Sequence, residues 1–120
     1  MQETIIGLDI GGTKFAIIEG TVQGDVLART QHATEPQRGF PDTFQRLCRA
    51  IEAMLAAVQR EGCRAMALSV SIGGPLDIAR GIIYSPPNLP GWDAIPLKDV
   101  LRERFGLPVY VEHDGNAGAL

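Results

Sequence analysis

The sequence predicts an α/β domain with a mixed β-sheet of order β-β-β-α-β-α-β, and three observations carry that prediction. The chain begins with three short β-prone runs separated by glycine turns. A long stretch then repeats apolar residues at helical spacing, and an apolar run returns after each of two amphipathic segments. Residues 4–10 are β-branched and apolar, and residues 15–19 resume that character immediately after Gly11-Gly12-Thr13-Lys14, so two strands joined by a tight turn are expected. Residues 26–33 follow the hairpin signal Gly24-Asp25 as a third strand of the same meander.

Phe44, Leu47, Cys48, Ile51, Met54, Leu55 and Val58 recur at i, i+3 and i+4, one face of a helix that Gly62 stops. Residues 65–70 read as a buried strand returning to the sheet by a crossover. Residues 71–92 are rich in glycine and proline, with a strand-like island at 81–84, and read as a loop or hairpin region lining a site. Residues 97–105 form a second amphipathic segment ended by Gly106, residues 107–111 a last strand, and residues 114–120 the opening of a further helix.

With 120 residues and 45% hydrophobic content, the chain fits one compact domain. A net charge of −3 without any basic cluster argues against a nucleic-acid partner. No apolar run approaches the roughly 18 residues of a membrane span, and Met1-Gln2-Glu3 does not begin an export signal, so a cytoplasmic protein without a membrane partner is expected. Cys48 and Cys63 belong to no CxxC pair and read as two buried or half-buried thiols, not as a disulfide or a zinc site.

The chemistry concentrates first at the β1–β2 turn. Gly11 and Gly12 lack a Cβ and let backbone N–H groups approach an anion closely; Thr13 adds a hydroxyl, Lys14 a cation, and Asp9 an oxygen ligand suited to Mg²⁺. The alternative is a plain type I′ or II′ hairpin turn, which explains the two glycines but not the flanking Asp9, Thr13 and Lys14. The P-loop pattern GxxxxGK[ST] is absent.

The string Leu8-Asp9-Ile10-Gly11-Gly12-Thr13-Lys14 resembles the first phosphate motif of the ROK family of sugar kinases and repressors. The resemblance continues in order through Gly73-Gly74-Pro75-Leu76-Asp77, Gly81-Ile82-Ile83, Pro87-Asn88-Leu89-Pro90-Gly91-Trp92, Phe105-Gly106-Leu107-Pro108-Val109 and His113-Asp114-Gly115-Asn116. It implies a ribonuclease-H-like domain, the fold shared with actin and the Hsp70 chaperones, and an ATP- and Mg²⁺-dependent kinase acting on a hexose or N-acylhexosamine. Residues 1–120 would be the N-terminal lobe, with a second lobe, where a structural zinc is possible, absent from this chain; the isolated lobe is then expected to be inactive. An apolar face left uncovered would favour a homo-oligomer.

By the same resemblance Asp9, Gly11, Gly12, Thr13 and Lys14 serve the nucleotide and metal. Gly73, Gly74, Asn88 and His113 serve the sugar, and Asp114 is the general base for the attacking hydroxyl. On residues alone Gly73-Gly74 is also a strand-ending turn, Asn88 a turn cap and Asp114 a helix N-cap. His113 stands where the family usually has Asn, and Ser69, Ser71 and Gly73 where many members have Gly, Gly and Pro. The competing readings are a sugar-sensing regulator and a non-catalytic sugar-binding protein.

Overall fold

The structure, a computed structural model, describes residues 2–72, 76–77, 82–83 and 95–113. A five-stranded mixed sheet runs in the order β3-β2-β1-β4-β8. β1 (Gln2–Ile10), β2 (Lys14–Thr21) and β3 (Val26–Ala33) form the antiparallel meander, while β4 (Cys63–Ile72) and β8 (Val109–His113) add in parallel on the other side of β1.

α1 (Phe40–Arg60) is the crossover between β3 and β4, and α2 (Leu97–Phe105) precedes β8. Both helices cover one face of the sheet. Ile6, Leu8 and Ile10 of β1 share a core with Leu47, Ile51 and Val58 of α1, Leu97 and Leu101 of α2, and Val109 and Val111 of β8. An ion pair at 2.8 Å between Arg104 of α2 and Glu52 of α1 joins the two helices over that core. The apolar spacing of α1 predicts this packing, and Leu47, Cys48, Ile51, Met54 and Val58 are all buried.

The order predicted from sequence needs a correction. Between β4 and α2 lie three further two-residue strands, β5 (Leu76–Asp77), β6 (Ile82–Ile83) and β7 (Ile95–Pro96), paired antiparallel as a separate small sheet. Two residues carry no alternation, so only the island at 81–84 left a signal in the sequence.

Candidate functional site

Register fixes what can meet at the end of the sheet where β1 stops. Ile10 pairs with Ile72 of β4, and Ile72 with His113 of β8, so the three parallel strands finish in one row. The β1–β2 turn follows Ile10, and the chain leaves the same edge toward Gly73-Gly74 and toward Asp114. Ligands gather outside such carboxyl ends of parallel strands. Gly73, Gly74, Asn88 and Asp114 lie outside the described residues; His113 is placed as the last residue of β8 by its backbone.

The turn is held in an unusual manner for a hairpin. Gly11 N–H donates to the Lys14 carbonyl at 3.0 Å. Among the described residues, the glycines with positive φ are Gly24, Gly39, Gly62 and Gly106, so neither Gly11 nor Gly12 has the left-handed backbone that a type I′ or II′ turn demands. The plain hairpin reading therefore fails. Gly11 is needed for space instead, since a Cβ there would stand 3.2 Å from the Lys14 carbonyl oxygen.

Thr34, fully buried just past β3, props the turn from beneath. Its Oγ1 donates to the Gly11 carbonyl at 2.8 Å and its N–H to the Thr13 carbonyl at 2.9 Å. The carbonyl of Thr34 is itself fixed by α1: Thr43 Oγ1 donates to it at 3.2 Å and Arg46 Nη2 at 2.5 Å, while Arg46 Nη1 reaches the Ala33 carbonyl at 2.6 Å. Asp42 holds the Arg46 guanidinium at 3.0 Å. Glu35 follows with φ +48°, the only non-glycine residue with positive φ among those described, where the chain bends sharply from Thr34 toward α1.

With those carbonyls occupied, the turn's amides are left open. Among the described residues nothing accepts a hydrogen bond from the N–H of Gly12 or Thr13. Consecutive unbonded amides on a tight turn form a concavity for an anion. Asp9 and Lys14 are exposed, and the pairings Asp9 with Ala16, Ala16 with Gln31 and Lys14 with Ala33 set them on the face away from the helices.

There Asp9, Gly11, Lys14, Ala16, Arg29 and Gln31 line an open hollow of about 360 Å³. Two cations against one carboxylate favour an anion, and Asp9 offers one oxygen ligand for a divalent ion that such an anion carries. A larger hollow of about 670 Å³ lies between α2 and edge strand β8, lined by Lys98, Asp99, Arg102, Glu103 and Tyr110. Its mixed charges converge on no common ligand type.

The structure sets Asp9, Gly11 and Lys14 on one hollow with Arg29 and Gln31, keeps Gly12 and Thr13 in the turn but off its lining, and props the turn on Thr34. Arg29 and Gln31 follow from the β2–β3 register once the Gly24-Asp25 turn is fixed. Thr34 had no signal, because the backbone carbonyls it donates to lie more than twenty residues away in sequence.

This combination defines a class: an α/β domain whose first two strands are joined by a glycine turn with unbonded amides. The chain belongs to the ROK family, whose sequence model matches residues 5–120. It is 31% identical over 116 residues to the glucokinase of Thermotoga maritima, covering 97% of this chain and 35% of that protein. It is similar to the crystal structure of a ROK family glucokinase from Streptomyces griseus in complex with glucose and AMPPNP, with TM-score 0.78 and 36% identity over 97% of this chain and 35% of the other. A xylose repressor of Caldicellulosiruptor bescii is 26% identical over 98% of this chain and 29% of its own length. The chain spans about a third of the length of these relatives.

Proposed function

We propose that the protein is a sugar kinase that transfers the γ-phosphoryl group of ATP to a hydroxyl of a hexose or N-acylhexosamine, and that this chain is its nucleotide-phosphate lobe. The observation that carries the reading is the β1–β2 turn, whose Gly11 and Thr13 carbonyls are tied down by Thr34 and whose Gly12 and Thr13 amides are unbonded among the described residues, next to a hollow lined by Asp9, Lys14 and Arg29. The meander, the α1 crossover and the parallel β1-β4-β8 row support a ribonuclease-H-like domain.

Bound magnesium-ATP supplies the phosphoryl group. Lys14, Arg29 and the open amides offset phosphate charge, Thr13 adds a hydroxyl donor, and Asp9 presents an oxygen toward the ion. Gly73, Gly74, Asn88 and His113 are assigned to the sugar. Asp114 takes the proton of the attacking hydroxyl, a role that requires a carboxylate within hydrogen-bond reach of that oxygen. A second lobe closes over the site, since phosphoryl transfer depends on positioning and exclusion of water.

The similarity to a xylose repressor favours a second reading, sugar sensing without phosphorylation. Asp9, Lys14 and Asp114 weigh toward the kinase, because a sensor has no use for a base. In the complete protein, Asp114→Asn should lower turnover by about two to four orders of magnitude with sugar affinity little changed. Steady-state kinetics over a panel of hexoses and hexosamines measures this, and near-normal turnover in Asp114→Asn would remove the kinase assignment.

A further inference from the structure

At the end of the sheet away from the turn, three potential metal ligands converge and none has a cationic partner. Glu19 of β2 is 1% exposed on the helix-covered face, paired across to Ile6. Among the described residues its Oε2 has no partner at hydrogen-bond distance, and the buried hydroxyl of Thr4 beside the carboxyl offsets only part of the effect of burial. Burial, with a smaller push from the charge of Glu61, raises the Glu19 carboxyl above the usual range.

Glu61 ends α1, held by its N–H to the carbonyls of Ala57 at 3.1 Å and Val58 at 3.2 Å. Gly62, at φ +78°, then turns the chain directly into Cys63, the first residue of β4 and a half-buried free thiol. One ligand atom from each of Glu19, Glu61 and Cys63 lies within 4.8 Å of the other two. Among the described residues, neither glutamate joins an ion pair.

We propose that Glu19, Glu61 and Cys63 bind a divalent transition-metal ion of the zinc class. Two acidic side chains around a buried oxygen without a donor call for positive charge, since an unpaired buried carboxylate is costly. The thiol selects the ion: sulfur ligation suits zinc and its neighbours, whereas Ca²⁺ and Mg²⁺ take oxygen ligands alone and more of them. Three protein ligands leave one tetrahedral position for water on the side of exposed Glu61. Binding releases the thiol proton of Cys63 to solvent and engages Glu19 as the carboxylate. The ion would join the last turn of α1 to β2 and β4.

Cobalt(II) titrated into chelator-treated protein reports thiolate ligation through a sulfur-to-cobalt charge-transfer absorption. The wild type should show a saturable band that zinc abolishes by displacement. Cys63→Ser should remove it, Glu19→Gln should weaken cobalt binding by about tenfold or more, and Cys48→Ala should retain it, Cys48 being the only other cysteine. Absence of the band in the wild type, or its persistence in Cys63→Ser, overturns the site. If Cys63→Ser does not fold, alkylation of the wild-type thiol decides: zinc should slow modification of Cys63 by about tenfold, and equal rates with and without zinc overturn the proposal. Kinase activity is not the readout, so the outcome is independent of the function proposed above.

Discussion

The two ends of the five-stranded sheet leave opposite kinds of polar group unmet. At the β1–β2 turn, the carbonyls of Gly11, Thr13 and Lys14 all have donors while the amides of Gly12 and Thr13 have no acceptor. At the far end, among the described residues, the buried Oε2 of Glu19 has no partner at hydrogen-bond distance, and the Thr4 hydroxyl beside the carboxyl offsets only part of the effect of burial. Open amides at a surface are hydrated and cost little until an anion displaces the water. A buried carboxylate oxygen is penalised continuously unless a cation or donor reaches it. On the two proposals, one end would suit a ligand that comes and goes and the other an ion that stays.

The largest effect that tests this contrast comes from Thr34. Thr34→Val keeps the shape but removes the donor to the Gly11 carbonyl, and should destabilise the protein by about 1–3 kcal/mol in denaturant unfolding. If the complete protein is the kinase proposed above, the loosened turn should also raise its nucleotide KM by about tenfold or more while the sugar KM holds, since small displacements of positioning groups are costly. Thr34→Ser should restore both. A stability loss without a change in nucleotide KM would mean that Thr34 braces the fold and not the turn's ligand.

Glu19→Gln probes the other end with the opposite sign. With metal removed by chelator, replacing the buried carboxyl by an amide that can donate to Thr4 Oγ1 should stabilise the protein by about 1 kcal/mol. With zinc present, the wild type should gain stability and the variant should not. A substitution that destabilises the chelated protein would show that Glu19 already has the partner it needs.

How much of this was legible in the sequence follows the range of each interaction. The third strand, expected at 26–33, is β3 (Val26–Ala33), and the second helix, expected at 97–105, is α2 (Leu97–Phe105), because alternation, helical spacing and the Gly106 stop are local signals. α1 starts ahead of its legible apolar face, at Phe40, since its N-cap is Gly39 without a side-chain cap to announce it. The Asp9-to-Lys14 turn could be read from the missing Cβ of its glycines, and at Gly11 it is indeed space, not left-handed backbone, that the turn requires. Arg29 and Gln31 required a strand register. Thr34, and the meeting of Glu19 with Glu61 and Cys63, required the α1 crossover that folds the chain back onto β1 and β2. The two cysteines, expected as buried or half-buried thiols, are a buried Cys48 and a half-buried Cys63.

The smallest effects separate two glycines, one at each end, that are needed for different reasons. Gly11 has ordinary φ but no room, whereas Gly62 has open space around its missing Cβ and a φ of +78°. Gly62→Ala should thus cost about 1 kcal/mol of stability through the left-handed backbone alone. Turnover should stay normal, because the strain sits at the far end of the sheet. Gly11→Ala meets the Lys14 carbonyl at 3.2 Å, and relief requires the turn to open by a few tenths of an ångström. That shift stretches the Gly11 N–H bond to Lys14, now 3.0 Å, and moves the open amides. Its signature should be a nucleotide KM raised by about tenfold, the equivalent of roughly 1.4 kcal/mol in binding, with unfolding stability close to the wild type. Paired unfolding and steady-state measurements on the two variants check this. If both lose stability and neither changes nucleotide KM, the turn is a structural hairpin after all, and its likeness to the far end is greater than the contrast drawn here.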